Sequence, residues 1–291
     1  MLERLRSLAV VIEEGSVNRA ARRLGVAQPT LSRHIQSLEQ ELGAPLFERG
    51  PWGMRPTGFG FFVRDTFAPL LQQYDRARAD AFAYVQGRQQ QLRVGYIGLA
   101  ASRFLNPALA KLRRDFPGLR ILPFDLTPLE QLKALRSGGL DVAMVGQEAG
   151  ALGEDFYRRT VARLGVAVVL PADHPLAGAP TAKLAALSRD RFVGVDDDAV
   201  PGRNAWVVGL CAKAGFRPRF VARTANVQET FALVAGEGAV ALLPDYLDGQ
   251  APAGLAYVRL ADAWARWDLQ VLRQRGKAMP AAARLVELLG S

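Results

Sequence analysis

Apolar residues recur at helical spacing through the first part of the chain. Leu5, Leu8, Ala9 and Ile12 fall at i, i+3, i+4 and i+7, the stripe of an amphipathic helix. It stops at Gly15, a residue type favoured just past a helix end, and Ser16 offers an N-cap for the next helix. Val17, Ala20, Ala21 and Leu24 form a second stripe, whose alanines let another helix cross closely. Gly25 breaks it, "GVAQ" reads as a turn, and Pro29 suits the first turn of a third helix. There Leu31, Ile35, Leu38 and Leu42 recur, with Pro29, Arg33, Gln36 and Gln40 on the opposite side. Two short helices joined by a tight glycine-containing turn predict a helix-turn-helix, whose second helix enters the major groove of DNA.

The polar side of that helix suits base reading. Gln28 can pair with adenine, and Arg33 with guanine or a phosphate. Pro29 and Thr30 offer apolar contact to a thymine methyl, and Ser32 and Gln36 can reach phosphate or base. A three-helix bundle with an idle polar face is the competing reading. The next stretch, "APLFERGPWGMRPT", holds Gly50, Pro51 and Gly53 between Arg49 and Arg55. It predicts a two-stranded basic wing that would reach the DNA backbone or minor groove.

Thr57 can cap a further helix. Along it Val63, Phe67, Leu70, Tyr74, Ala77, Ala81 and Tyr84 keep a 4-3 alternation, the seam of a coiled coil. A helix packing only on its own domain would run closer to a 3.6 period. Pro69 lies inside this run and predicts a bend, and "GRQQQ" at 87–91 reads as a polar hinge.

From Leu92 the pattern changes to short apolar runs alternating with helical stretches. "LRVGYIG", "LRILPF", "LDVAMVG", "GVAVVLP", "RFVGV", "RPRFVAR" and "AVALLP" read as strands. "NPALAKLRRDF", "TPLEQLKALRSG", "GRNAWVVGLCAKAG" and "NVQETFALVAGEG" read as helices between them. This alternation predicts parallel βαβ units in two tandem α/β lobes with a cleft between them. Helix N-termini at strand ends fall at Gly98–Ser102, Thr127–Pro128 and Thr224–Asn226, with Arg103 and Arg203 as nearby cations. Such junctions would favour a small anion, or each Thr or Asn merely caps its helix.

Bulk properties narrow the classes. At 291 residues the chain is long for one core. With 49% hydrophobic and 22% charged residues, it can fold as a globular protein. It lacks an apolar run long enough for a bilayer, and "MLERLRSLAVVIEEGS" is a poor signal peptide, so a cytoplasmic protein is expected. One cysteine, Cys211, leaves no internal disulfide and no metal cluster, and no cofactor is expected. The net charge of +9 suits nucleic acid, yet residues 1–57 hold eight arginines against six glutamates. The DNA reading therefore rests on pattern rather than on bulk charge.

The strings "GSVNRAARRLGVAQPTLSRHIQSLEQELGAPLFER" and "PTGFG" resemble the N-terminus of LysR-type transcriptional regulators. More loosely, "HPLA" at 174–177 and "NVQETFALVAGEGAVALLP" are similar to the same family. The resemblance implies a winged helix-turn-helix at 1–58 and a linker and dimerisation helix at 59–90. It further implies an effector domain at 91–291 like the periplasmic binding proteins, with lobe I about 91–160 and 265–291 and lobe II about 161–264. Gln28, Pro29, Thr30, Ser32, Arg33 and Gln36 would face an operator, with wing residues beside them, although "GPWG" departs from the usual polar wing. Leu99, Ala100, Thr127, Gly146, Pro201, Gly202, Arg203, Asn226 and Val227 would touch an effector, beside Ser102 of the first junction. Leu99 stands where many relatives place Ser or Thr. The implied partners are double-stranded DNA, a small-molecule effector, a second or fourth copy of the chain, and RNA polymerase.

Two other classes compete. An enzyme needs a reacting constellation, but the chain has only His34 and His174, and no nucleophile motif, zinc spacing or P-loop. A solute-binding protein without a regulatory role would suit the second half alone; the N-terminal helices and the lack of an export signal argue against it.

Overall fold

A computed structural model describes residues 1–50, 53–85, 90–98, 100–147, 155–247, 252–276 and 278–290, with backbone alone at 49, 53, 76, 80, 83 and 84. Contacts divide the chain into two compact units, Met1–Arg88 and Gln89–Ser291, apart from the turn Ser137–Gly139.

The first unit begins with α1 (Leu2–Glu14), α2 (Val17–Leu24) and α3 (Gln28–Leu42). Each ends on a glycine in the left-handed region, Gly15 at φ 59°, Gly25 at 66° and Gly43 at 77°, where a Cβ would strain the backbone. The Ser16 hydroxyl accepts from the Arg19 amide at 3.5 Å, as expected of an N-cap. A hairpin follows, β1 (Phe47–Gly50) and β2 (Gly53–Pro56), with Glu48 opposite Arg55. Then α4 (Gly58–Val85) runs unbroken through Pro69. Thr57 caps it by accepting from the Gly60 amide at 2.9 Å. Leu5, Leu8, Val11, Ala20, Ala21, Leu31, Ile35 and Leu38 make one buried core with Leu46, Val63 and Leu71. In α1 the inner stripe is Leu5, Leu8 and Val11; Ala9 and Ile12 are only half-buried.

The second unit holds β3 (Gln91–Tyr96), α5 (Asn106–Asp115), β4 (Arg120–Asp125), α6 (Pro128–Arg136) and β5 (Val142–Gly146). Next come β6 (Phe156–Pro171), β7 (Thr181–Ala182), β8 (Arg191–Val195), α7 (Arg203–Lys213), β9 (Arg219–Thr224), α8 (Val227–Glu237) and β10 (Ala241–Pro244). The unit closes with β11 (Leu255–Leu260), β12 (Arg266–Gln274) and α9 (Pro280–Leu289). β3 pairs parallel with β4 and β5, and β8 parallel with β9, as the βαβ reading expects. The sheets are nevertheless mixed. β12 lies antiparallel between β5 and β6, and β10 and β11 pair antiparallel with β6.

The antiparallel pairings arise because β6 is sixteen residues long and belongs to both lobes. Its first part, Phe156–Gly165, pairs with β12; its second, Val166–Pro171, pairs with β10 and β11. Among the described residues no helix is long and apolar enough to cross a membrane.

Local chemistry fixes the start of α6. The Thr127 amide and hydroxyl both donate to Glu130 Oε2, at 2.9 and 2.8 Å, while the Glu130 amide donates back to Thr127 Oγ1 at 3.4 Å. This reciprocal cap holds the Glu130 carboxyl below its ordinary value, mainly through the Thr127 amide. A carboxyl lowered in the fold adds stability above its unfolded pKa and loses it as pH falls through the folded value. Glu130→Gln keeps an acceptor but not the charge. Its melting temperature is expected to lie below wild type near neutral pH and to converge with it as the solution is acidified below the ordinary carboxylate range. Parallel melting curves across that range would contradict the cap.

Candidate nucleic-acid interface and effector cavity

The core decides which side of α3 faces out. Leu31, Ile35 and Leu38 are buried, with Leu31 at 0% exposure, and the opposite positions Gln28, Pro29, Thr30, Arg33 and Gln36 are exposed. Ser32 is half-buried and accepts from Gln28 Nε2 at 3.0 Å. The other polar residues of α3 serve the fold. Glu39 accepts the Leu46 and Phe47 amides at 2.8 and 3.3 Å, tying the helix to the start of the hairpin. Glu41 pairs with Arg4 at 2.9 Å, and His34 Nδ1 meets the Ser7 hydroxyl at 2.9 Å.

Arg33, Gln36 and Thr30 have no side-chain partner among the described residues. The other arginines divide sharply. Arg19 and Arg23 pair with Glu13 and Glu14, and Arg6 with Glu3 and Asp75. Arg22 at the end of α2 is exposed and, among the described residues, has no partner either; pattern reading passed over it. Arg55 is exposed on β2; the side chain of Arg49 and the hairpin tip at 51–52 lie outside the described residues.

Along α4 the expected seam splits. Val63 is only 2% exposed and Phe67 packs beside it against the unit's own core, so Val63 is core rather than seam. The inward positions follow Phe59, Val63, Phe67 and Leu71, a spacing of four that the single helix uses itself. Farther along, Leu70 is 51% and Tyr74 44% exposed, and Ala77 and Ala81 are exposed too. Phe62, Phe82 and Val85 add to this apolar surface. The side chain of Tyr84 and most of the 87–91 hinge lie outside the described residues.

In the second unit a cavity of about 370 Å³ opens between the two lobes. Ile97, Gly98, Asp125, Leu126, Thr127, Pro128, Glu130, Gly146 and Trp267 form one side of it. Val195, Val200, Arg203, Asn226, Val227, Gln228, Thr230, Leu243 and Tyr246 are among those forming the other. Arg203 is 5% exposed, donates to the Leu242 carbonyl at 3.1 Å, and lies over the rings of Trp206 and Trp267 at 4.3 and 5.8 Å. Asn226 caps α8 by accepting the Glu229 amide at 2.9 Å. The Thr230 hydroxyl meets that of Thr224 at 2.9 Å.

Of the expected effector residues, Thr127, Gly146, Arg203, Asn226 and Val227 come together on this cavity. Ala100 is buried, Ser102 is exposed, and neither lines it. Pro201 and Gly202 stand off the wall, and Gly202, at φ 82°, turns the chain so that α7 starts at Arg203. Leu99 lies outside the described residues. Pattern reading missed Asp125, Glu130, Thr230, Tyr246 and Trp267. The "D-L-T-P" string before a helix could have pointed to Asp125, whose Oδ1 accepts the Gly98 amide at 2.9 Å.

Comparison with known proteins gives a consistent picture. Residues 2–61 match the bacterial regulatory helix-turn-helix protein, lysR family, and residues 86–291 match the LysR substrate binding domain. The chain is similar to the small neutral protease regulatory protein of Streptomyces coelicolor, 41% identical over 220 residues, which cover 74% of this chain and 65% of that protein. The chain thus spans just under two thirds of that relative's length. It is also similar to the HTH-type transcriptional regulator CatR of Pseudomonas putida, 29% identical over 293 residues that cover 99% of this chain and 98% of CatR. Among solved structures, full-length CbnR complexed with its target DNA shares the fold with a TM-score of 0.73. That likeness carries 23% identity and covers 99% of this chain and 98% of CbnR. The two family matches together span nearly the whole sequence, and the chain belongs to the LysR family.

Proposed function

We propose that the chain is a sequence-specific DNA-binding transcriptional regulator of the LysR type. A small molecule held between the two lobes of its second unit modulates DNA binding or bending. The observation that carries the reading is the outward face of α3, where Arg33 and Gln36 stand exposed while the helix spends its glutamates on the fold. A base edge or a phosphate offers those groups the partners they lack. CbnR, which shares the fold, has been solved in complex with its target DNA. A catalytic role has no counterpart in this reading, and the cytoplasm, where the chromosome lies, is the compartment it requires.

The working unit is a homodimer or a dimer of dimers, with α4 as the seam from Leu70 onward. Exposed Leu70, Tyr74, Phe82 and Val85 make more apolar surface than a solitary helix keeps in water. Two recognition helices related by a two-fold would read half-sites about one DNA turn apart. We place the boundaries at 1–58 for the reading head, 59–90 for the linker helix and 91–291 for the effector domain. An effector that closes the lobes would alter the spacing of the reading heads, and with it DNA bending and contact with RNA polymerase.

Two outcomes test this. With duplexes selected by the wild-type protein from a random pool, Arg33→Ala should lose about 1–3 kcal/mol of affinity and relax the base preference at one position. Unchanged affinity and preference in fluorescence anisotropy would contradict the base-reading role. Leu70→Asp should yield monomers by light scattering, since it places a charge in the seam; a variant that stays dimeric would contradict the α4 interface.

A further inference from the structure

The cavity carries charge of both signs on opposite walls. On the side of the first lobe stand two carboxylates, Asp125 at the end of β4 and Glu130 in the first turn of α6. Asp125 Oδ1 accepts the Gly98 amide and Glu130 Oε2 accepts from Thr127, which fixes both groups at the wall. Asp125 has no ion-pair partner among the described residues, while Glu130 feels the positive field of Lys133 three residues along α6. On the side of the second lobe stand Arg203 and the start of α8, where Asn226 takes the Glu229 amide and Glu229 takes the Ala225 amide at 3.0 Å, which leaves the Val227 and Gln228 amides at the wall. Between them the lining is apolar: Ile97, Leu126, Val195, Val200, Leu243 and Trp267.

This distribution discriminates among ligands by charge. A simple carboxylate would meet Arg203 and the α8 amides favourably, but it would bring a second negative field towards Asp125 and Glu130. A simple amine would satisfy the carboxylates and oppose the guanidinium. A molecule with one charge of each sign, set at the ends or corner of an apolar body, meets both walls at once. The volume of about 370 Å³ suits a compact body of this kind.

We propose that the effector is a small zwitterion with an apolar side chain, of the α-amino-acid type. Its carboxylate lies toward Arg203 and the start of α8, and its ammonium toward Asp125 and Glu130. The inference rests on the cavity being the effector site, and it names the ligand class that the site accepts. It keeps the anionic group that the helix N-termini favour and adds the cation that the acidic wall requires.

Calorimetric titration of the full-length protein tests it with L-phenylalanine, 3-phenylpropanoate and 2-phenylethylamine. The second lacks the amine and the third lacks the carboxylate. The zwitterion is expected to bind at least about tenfold more tightly than either. Asp125→Asn, which keeps the acceptor for Gly98, should weaken L-phenylalanine and strengthen 3-phenylpropanoate, narrowing the gap between them. Should 3-phenylpropanoate bind as tightly as L-phenylalanine to the wild type, the zwitterion is wrong and the cavity remains the effector site. Should L-phenylalanine, L-leucine and L-methionine all fail to bind at about 10 mM, the zwitterion is likewise wrong. Should an amino acid bind with an affinity that neither Asp125→Asn nor Arg203→Gln changes, both the zwitterion and the cavity reading fall.

Discussion

The burial of three side chains on one helix governs the first unit. Leu31, Ile35 and Leu38 sit against α1 and α2 and fix the rotation of α3 about its own axis. Removing them from water stabilises the helix by an amount of order several kcal/mol, far more than a surface ion pair supplies. Once that rotation is set, Arg33 and Gln36 have no choice but to face outward. The short turn closed by Gly25 and the Glu39 link to the hairpin then hold α3 as a rigid element. Rigid presentation matters because a reading helix that wobbled would lose the geometry of two-point contacts to a base.

A comparable constraint organises the second unit. β6 runs through both lobes, so the lobes share one continuous strand rather than a floppy linker. The walls of the cavity come from the ends of strands and the starts of α6, α7 and α8 on either side of it. Side-chain caps occupy the helix starts, Thr127 and Glu130 bonding reciprocally at α6, and at α8 Asn226 accepting the Glu229 amide while Glu229 accepts the Ala225 amide. These caps do two things at once. They terminate the helices, and at α6 they bring a carboxylate to the wall, which changes the charge the cavity offers.

Much of this was legible in the sequence, for identifiable reasons. Helical stripes and glycine stops in the first unit are local signals, and α1, α2, α3 and the capping residues fall where they point. The α/β alternation located β3, β4, β5, the second part of β6, β8, β9 and β10 because each of those apolar runs is short and bounded, whereas the two-residue β7 and the polar first part of β6 carry no such run. β11, β12 and α9 escaped because strands such as "RWDLQVLRQ" alternate polar and apolar residues and owe their place to pairing with distant β5 and β6. The antiparallel pairings escaped for the same reason. Val63 was misassigned because a 4-3 spacing and a 4-4 spacing share their first two members, and only packing separates them. In the cavity, Arg203 and Thr127 could be found at helix starts, whereas Tyr246 and Trp267 arrive from segments far apart in sequence and meet only through the fold.

The central claim is that the outward side of α3 lies against DNA bases. Photo-crosslinking tests it most directly. A p-benzoylphenylalanine placed at position 33 or 36, in protein bound to a selected duplex, is expected to form adducts at bases within the recognised site. Retention of the duplex with no adduct from either position would contradict the account.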